Sequence, residues 1–345
     1  MKTGVSVFTG LKEYTLEKTL EYLKIAHTHN VEMVFSSAHI TEADRSIDEL
    51  NQIIEKCYEY NMKFVIDVSK AAFTNLGLSD KVYAYRLDYG FTDEEIIEMS
   101  RSNNYFIELN ASTLSEEKLC KLIDNGLNVS HVRASFNYYP KLYTGHDIID
   151  AKRIIKMFNK YGINVGAFLP SFHEKRPPMY EGLPSIESHR NLSHDISIEE
   201  LKAIGASEIF FGDSYASLDE IIKLEKHSSD VVTLFANLND DFKDNETIKE
   251  ILLSAKAIRP DVNSYLLRIS GKRGFEINPC NNNINRKVFD LTIDNALYGR
   301  YSGEVNIVIS EIPSDKRVNV IGNVNCSKLI ADYIKEHKQV KFIFD

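Results

Sequence analysis

Short runs of β-branched and aromatic residues alternate with helical patterns up to about residue 228, and this alternation constrains the fold more than any other feature. Such an order is typical of βα units, which build parallel sheets. The runs cover residues 5–8, 31–37, 64–69, 83–88, 105–110, 129–137, 163–169 and 208–213. Eight strand–helix repeats in a segment of this length predict a (β/α)8 TIM barrel of the α/β class, whose functional sites lie where the strands end.

The segments between the strands carry the signals of helices. Apolar residues recur at helical spacing in 43–57 and 151–161, whereas 71–80 leaves room for only a short helix. Three pairs have the spacing of capping boxes, which satisfy backbone N–H groups at a helix start: Thr92 with Glu95, Ser197 with Glu200, and Ser217 with Glu220. Three glycines fall where helices should end: Gly126, Gly162 and Gly205.

The rhythm changes after about residue 231. Strand-like runs at 264–269, 289–293, 305–309 and 318–324 follow one another, with helices predicted only at 246–257 and 327–336. A chain of 345 residues is long enough for about two domains. We therefore predict a barrel domain at 1–232 and a smaller β-rich domain at 233–345.

Composition and charge exclude several functional classes. A net charge of −9 would repel phosphate backbones, which argues against general nucleic-acid binding. The four cysteines form no C-x-x-C pair, and we find neither a metal-binding motif nor a nucleotide-binding glycine loop. Without a signal-peptide pattern or a long apolar run, the sequence predicts a cytoplasmic protein that needs no membrane, metal or cofactor, and a homodimer is compatible with it.

Carboxylates lie at or near the ends of four predicted strands: Asp67, Asp88, Glu108 and Asp213. Strand alternation predicts a polar layer inside the barrel, composed of Arg86, Asp88, Glu108, Asn110, His131, Arg133, Ser135 and Asn137. These charges could simply neutralise one another, but burying several is costly, and paired carboxylates at a barrel mouth suit glycoside hydrolysis. Asp67 and Asp213 could equally cap helices or order loops.

Two loops contain further candidate binding residues. After the sixth strand, Asn137, Tyr139 and Lys141 could bind hydroxyl groups or a phosphate, although Pro140 also favours a plain turn here. The loop after the seventh strand, 170–195, is long enough to be a functional lid. The basic residues of this loop are His173, Lys175, Arg176, His189 and Arg190. Of these, His189 and Arg190 could hold an anionic group or simply face solvent.

Six segments together resemble one enzyme family. They are RLDYGF at 86–91, IELNAS at 107–112, NYYPKLYTG at 137–145, GLPSIESHR at 182–190, GDSYAS at 212–217 and TIDNALYGRY at 292–301. In order and over nearly the whole chain, they resemble the MupG-type 6-phospho-N-acetylmuramidases, glycoside hydrolase family 170. The resemblance implies a TIM barrel followed by a smaller cyclophilin-like β-barrel domain. It also implies hydrolysis of the β-1,4 bond in N-acetylmuramic acid 6-phosphate–N-acetylglucosamine, in the cytoplasm, during peptidoglycan recycling.

On this basis Asp88 and Glu108 are the predicted catalytic pair. Burial would raise the pKa of the acid, and Arg86 or Arg133 would keep the other carboxylate ionised. Which of the two is the acid stays open, and the 2-acetamido group of the substrate could itself be the nucleophile.

The predicted substrate contacts are Asp67, Arg86, Asn110, Arg133, Asn137, Tyr139, Lys141, His189, Arg190 and Asp213, with Asn295 and Arg300 from the second domain. Two other functions compete with glycoside hydrolysis. A sugar-phosphate isomerase or aldolase is compatible with a TIM barrel, although no predicted strand offers a convincing Schiff-base lysine. A non-catalytic carbohydrate- or peptide-binding protein is the other alternative.

Overall fold

The computed structural model describes residues 1–10, 13–38, 47–76, 78–261, 263–336 and 338–344. The chain divides into two compact units, Met1–Ser228 and Ser229–Asp345. No helix in these described ranges is both long and apolar enough to cross a membrane.

Parallel strands close a barrel in the first unit, as the βα alternation predicts. The strands are β1 (Lys2–Ser6), β2 (Met33–Ser37), β3 (Lys63–Val68), β4 (Ala84–Leu87), β5 (Phe106–Asn110), β6 (Val132–Ser135), β7 (Val165–Leu169) and β8 (Glu208–Ser214). Each pairs with the next, and β8 pairs with β1 to close the ring. The predicted TIM barrel is therefore confirmed.

Helices follow the strands around the barrel. They are α1 (Leu16–Thr28), α2 (Ile47–Glu59), α3 (Lys70–Leu76), α4 (Asp93–Ser100), α5 (Glu116–Asp124), α6 (Ile148–Lys160), α7 (His194–Ala203) and α8 (Leu218–Lys226). The third helix is short, as predicted, and the predicted start of the second, at residue 43, lies outside the described residues. The three glycines predicted to end helices all have positive φ angles, 100°, 75° and 95° in chain order.

Two of the three predicted capping boxes are present, at Thr92 and Ser217. The third, Ser197 with Glu200, is wrong because α7 begins earlier, at His194 after Ser193. Ser197 lies inside the helix, where its hydroxyl donates to the carbonyl of Leu192 at 3.4 Å.

The barrel interior is packed with aromatic rings, and two glycines make room for them. Phe35, Phe168 and Phe210 belong to one buried cluster. A Cβ atom at Gly4 would lie 2.2 Å from the Phe210 ring, and one at Gly166 would lie 3.3 Å from it. The Phe210 ring therefore excludes any side chain at Gly4 on β1 and leaves little room for one at Gly166 on β7.

The second unit is a seven-stranded, nearly closed sheet. Its strands are β9 (Val232–Leu238), β10 (Ala257–Ile258), β11 (Leu266–Ser270), β12 (Asp290–Asp294), β13 (Val305–Val308), β14 (Val318–Val324) and β15 (Val340–Ile343), with helices α9 (Glu246–Ser254) and α10 (Lys328–Ile334). The order is β10-β11-β13-β12-β14-β9-β15, and an isolated bridge from Ala257 to Gln339 brings the two edges together. The sequence pattern did not single out β9, β10 or β15.

Candidate active site

A cavity of about 220 Å³ lies toward the carboxyl ends of the barrel strands, where TIM-barrel enzymes have their active sites. We call it the barrel-mouth cavity. It is lined by Phe35, Asp67, Arg86, Asp88, Phe136, Asn137, Tyr138 and Phe168. The lining therefore combines aromatic rings, which suit the faces of a sugar, with two carboxylates and a guanidinium.

Side chains of alternating charge form a buried ladder across the barrel strands. Its members are Asp67, Arg86, Glu108, Arg133 and Glu208, which are 1–6% exposed. The strand register pairs the first four side by side on the neighbouring strands β3, β4, β5 and β6. Arg133 Nε lies 2.8 Å from Glu108 Oε2, and its Nη2 contacts Glu208. Alternating charges offset much of the cost of burying each one.

Arg86 is the centre of this ladder. Its Nη1 donates to Asp67 Oδ1 at 2.8 Å, and its Nη2 donates to Asn137 Oδ1 at 2.6 Å. Its Nε donates to Ser135 Oγ at 3.1 Å and lies 3.6 Å from Glu108 Oε1. Burial alone would lower the pKa of the Arg86 guanidinium, but the surrounding carboxylates outweigh burial and raise it. Arg86 is thus a permanent positive charge that fixes the groups around it.

The two residues predicted as a catalytic pair lie at different depths. Asp88 is exposed and lines the barrel-mouth cavity. Glu108 is 1% exposed, does not line this cavity, and lies between Arg86 and Arg133, where it accepts a hydrogen bond from Ser135 Oγ. The second carboxylate at the cavity is instead Asp67, which is 6% exposed.

Asn110 and Tyr139 support the cavity wall at Asn137. Asn110 Nδ2 donates to Asn137 Oδ1 at 3.1 Å. The hydroxyl of Tyr139 is hydrogen-bonded to His146 Nε2 at 3.1 Å, and burial lowers the pKa of His146, so this imidazole is neutral near pH 7. Asn110 therefore supports Asn137 directly, whereas Tyr139 is linked to it only through His146 and Ser112, whose hydroxyl accepts from the backbone N–H of Asn137.

The basic residues predicted to hold an anion have different surroundings. Lys141 is exposed. His189 is fully buried and hydrogen-bonded to Glu200 Oε2 at 3.0 Å. Arg190 is 3% exposed and donates to both carboxylate oxygens of Glu187 at 2.7 Å. His189 and Arg190 are therefore bonded to carboxylates of the protein itself, Glu200 and Glu187.

Asp213 organises the same loop. Its carboxylate accepts hydrogen bonds from the backbone N–H groups of Ser171, Arg176 and Leu183 at 2.8–3.0 Å. Burial raises the pKa of Asp213, and these three donors and the nearby Arg176 guanidinium lower it, with a net rise. Asp213 thus has the geometry of a loop-ordering residue, which was one of the two sequence-based readings.

In the second unit, Asn295 is fully buried and donates to the carbonyl of Lys316 at 2.9 Å and to Asn319 Oδ1 at 2.8 Å. Arg300 is exposed, and its Nη2 donates to the hydroxyl of Tyr301 at 2.9 Å. Within this unit, Asn295 supports the fold and Arg300 faces solvent.

A larger cavity of about 460 Å³ lies in the second unit, beside α10. Its charged lining residues pair with one another, because Asp332 contacts Lys328 at 2.7 Å and Lys335 at 3.1 Å. Asp332 is the one carboxylate in this lining, whereas glycoside hydrolysis generally uses two. We therefore place the candidate active site at the barrel mouth.

Glu208 is a member of the ladder that the sequence analysis missed. It lies at the very start of β8, and its carboxylate also lies 3.6 Å from Lys2 Nζ. Strand alternation, which places Glu208 on the same face as Phe210, was the available signal. In the described part of the chain, no three His, Cys, Asp or Glu side chains are placed to hold a metal ion.

Comparisons with solved structures give two close matches over the full length. A crystal structure of an uncharacterised protein from B. cereus is 25% identical, with a TM-score of 0.84, and each chain is 99% covered. A conserved protein of unknown function from Enterococcus faecalis is also 25% identical, with a TM-score of 0.77, over 100% of this chain and 97% of the other. A comparison with curated proteins finds no significant match.

Family models identify both units. The model of the N-terminal part of 6-phospho-N-acetylmuramidase matches residues 3–226, and the model of its C-terminal part matches residues 232–343. Together they cover the barrel with its mouth cavity and the nearly closed sheet. The chain therefore belongs to the 6-phospho-N-acetylmuramidase family and is a glycosidase.

Proposed function

We propose that this chain hydrolyses the β-1,4 bond between N-acetylmuramic acid 6-phosphate and N-acetylglucosamine in the barrel-mouth cavity. One observation carries the proposal: two carboxylates, Asp67 and Asp88, line a single cavity around Arg86. Glycosidases use one carboxylic acid to protonate the leaving oxygen and one carboxylate to assist at the sugar carbon. The cavity offers both groups in a family whose reaction needs them.

Asp88 is the proposed acid. The phosphate and the lactyl carboxylate of the substrate bring negative charge near Asp88, and the sugar excludes water from this otherwise exposed side chain. Both effects favour the protonated form of Asp88 in the complex, against the attraction of Arg86 for the ionised form. Asp88 then gives its proton to the glycosidic oxygen as the bond to the sugar carbon breaks.

Asp67 is the proposed second carboxylate, in place of Glu108. Its Oδ1 is fixed by Arg86 Nη1 at 2.8 Å, and Ser37 Oγ donates to its Oδ2 at 3.4 Å. A negative charge held at this place would stabilise the positive charge that develops on the sugar ring. Glu108, which is buried and does not line the cavity, is a positioning residue that acts through Arg86 and Arg133. Water adds at the sugar carbon, and its proton leaves to a carboxylate.

The first experiment compares cleavage of the 6-phosphorylated disaccharide with that of its unphosphorylated counterpart by mass spectrometry. Asp88→Asn should lower kcat by about 100-fold or more, because it removes the proton donor and keeps the shape. The melting temperature should not change, since Asp88 is exposed. Asp124→Asn, an exposed residue at the end of α5, is the matched control and should retain full activity.

Two outcomes would contradict the proposal separately. If the wild-type protein leaves the phosphorylated disaccharide intact, the substrate is wrong. If the wild type cleaves it and Asp88→Asn loses less than tenfold, the acid is a different residue. Activity measurements on Asp67→Asn and Glu108→Gln then show whether the essential carboxylate is the one that lines the cavity or the buried one.

We further propose that the reaction belongs to peptidoglycan recycling in the cytoplasm. The support is the substrate itself, a phosphorylated fragment of cell-wall sugar. Cells that lack the enzyme should accumulate the 6-phosphorylated disaccharide in their cytosolic extract, as measured by mass spectrometry. An extract with no such accumulation would contradict this cellular role and leave the proposed reaction standing.

A further inference from the structure

Arg176, in the loop between β7 and α7, is a buried arginine whose side chain has no acceptor among the residues that the structure describes. The residue is 7% exposed, and its Nε is fully buried without a hydrogen-bond partner. Its side chain makes no hydrogen bond or ion pair with any residue that the structure describes. Of the five donors that a guanidinium carries, the buried Nε–H reaches neither an acceptor nor solvent, which is costly. Such a group is typical of a site that awaits an anion.

Two aromatic rings hold this guanidinium. Its central carbon lies 5.0 Å from the centroid of the Phe8 ring and 5.4 Å from that of Tyr138. Cation–π contacts of this kind orient an arginine without using its hydrogen-bond donors. Tyr138 also lines the barrel-mouth cavity. The Arg176 side chain is therefore fixed directly beside that cavity.

The backbone of Arg176 is fixed as well. Its N–H donates to Asp213 Oδ1 at 2.8 Å, whereas Asp213 Oδ2 accepts from the N–H groups of Ser171 and Leu183. The carboxylate of Asp213 thus orders the loop through backbone donors and does not accept from the Arg176 side chain. A loop that is tied down in this way presents the guanidinium in one place, which reduces the entropy lost on binding.

The other buried arginines of the first unit already have carboxylate partners. Arg86 and Arg133 belong to the ladder, and Arg190 bonds to Glu187. Arg176 differs from all three. In TIM barrels, the loops after the seventh and eighth strands frequently bind phosphate, and Arg176 lies in the first of these.

Resting on the proposed function, we infer that Arg176 binds the 6-phosphate of the substrate and gives the enzyme its preference for phosphorylated sugar. The guanidinium would donate two parallel hydrogen bonds to phosphate oxygens, an arrangement that arginine favours. The lactyl carboxylate is the other anion of the same sugar, and the experiment separates the two.

The test uses the full-length protein and calorimetric titration with N-acetylmuramic acid 6-phosphate and with N-acetylmuramic acid. Arg176→Met should weaken binding of the phosphorylated sugar by about 10- to 100-fold, since charge-assisted hydrogen bonds are lost. Binding of the unphosphorylated sugar should stay unchanged, and Arg176→Lys should lie between the two. Arg153→Met, which removes an exposed arginine on α6, is the matched control and should bind like the wild type.

A melting curve separates binding from a structural role. Arg176→Met removes a buried charge that has no hydrogen-bond acceptor, but also two cation–π contacts and an attraction to Asp213, so the melting temperature should change little. A large fall in the melting temperature would overturn the inference, and so would equal phosphate-sugar binding in the variant and the wild type. An equal loss for both sugars would assign Arg176 to the lactyl carboxylate and overturn the phosphate assignment.

The proposed hydrolysis and the proposed phosphate binding by Arg176 can be contradicted independently of each other. A wild type that binds the phosphorylated sugar through Arg176 but cleaves no disaccharide would contradict the proposed hydrolysis and support this inference. A wild type that cleaves the phosphorylated disaccharide, with kcat/KM unchanged in Arg176→Met, would support the hydrolysis and overturn the inference.

Discussion

The two ends of the β7–α7 loop each bury an arginine, and the two arginines differ in how fully their donors are used. Arg190 donates to both oxygens of Glu187 and to four backbone carbonyls, those of Tyr139, Lys141, Glu181 and Gly182. Arg176 donates from its side chain to none of the residues that the structure describes. Both are at least nine-tenths buried. Burial alone therefore does not separate a structural arginine from a binding one, whereas the use of its donors does.

The largest effect should come from Arg190→Met. It leaves the Glu187 carboxylate and several carbonyls without their donor, so the free energy of unfolding should fall by about 4 kcal/mol. Urea denaturation measures this loss, with Arg153→Met as a control expected within about 0.5 kcal/mol of the wild type. Equal losses in Arg190→Met and Arg176→Met would remove the contrast between the two arginines.

Glu108→Gln should have an intermediate effect. The amide keeps the size of the side chain but removes one negative charge from the ladder, between Arg86 and Arg133. We expect a loss of about 2 kcal/mol in the free energy of unfolding, together with lower activity. Asp88→Asn should instead lower activity alone. If Glu108→Gln is as stable as the wild type, the ladder is not the structural support that we describe.

The smallest effect should be a pH dependence at Glu187. The hydrogen bonds from Arg190 lower the pKa of Glu187 from 4.5 to about 2 in the folded protein. Its contribution to stability is therefore complete above about pH 4.5 and is lost as the pH falls toward 2. Melting temperatures from pH 6 to pH 3 should fall less steeply for Glu187→Gln than for the wild type. Parallel curves would show that this ion pair adds nothing.

Much of the barrel follows from the sequence because its signals are local. Period-two alternation placed Arg86, Glu108 and Arg133 inside the barrel, and the ladder contacts confirm that polar layer. The capping box predicted at Ser197 is wrong because α7 begins earlier, at His194, and Glu200 bonds to His189, eleven positions earlier in the chain. A three-residue spacing cannot reveal such a tertiary competitor.

The types of residue at the site were predictable from the sequence, but which side chains pair with one another was not. Side-chain direction alone does not show that Asp67 reaches the cavity while Glu108 stays below it, because depth depends on the stagger of the strands. Nor does it show that Arg133 pairs with Glu208, two strands away in the barrel. The missing partners of Arg176 are likewise a property of the folded loop, and no sequence motif encodes them.

Gly166 has a consequence for how such barrels evolve. A Cβ atom there would lie 3.6 Å from Glu208 Oε2 and 3.3 Å from the Phe210 ring. Arg133 on β6 and Glu208 on β8 thus pair across β7 at a position that carries no side chain. A lineage that gains a bulky side chain at this position must give up the ring or the ion pair. The order of substitutions is therefore constrained, because Glu208 or Phe210 must be replaced before a bulky side chain can occupy position 166.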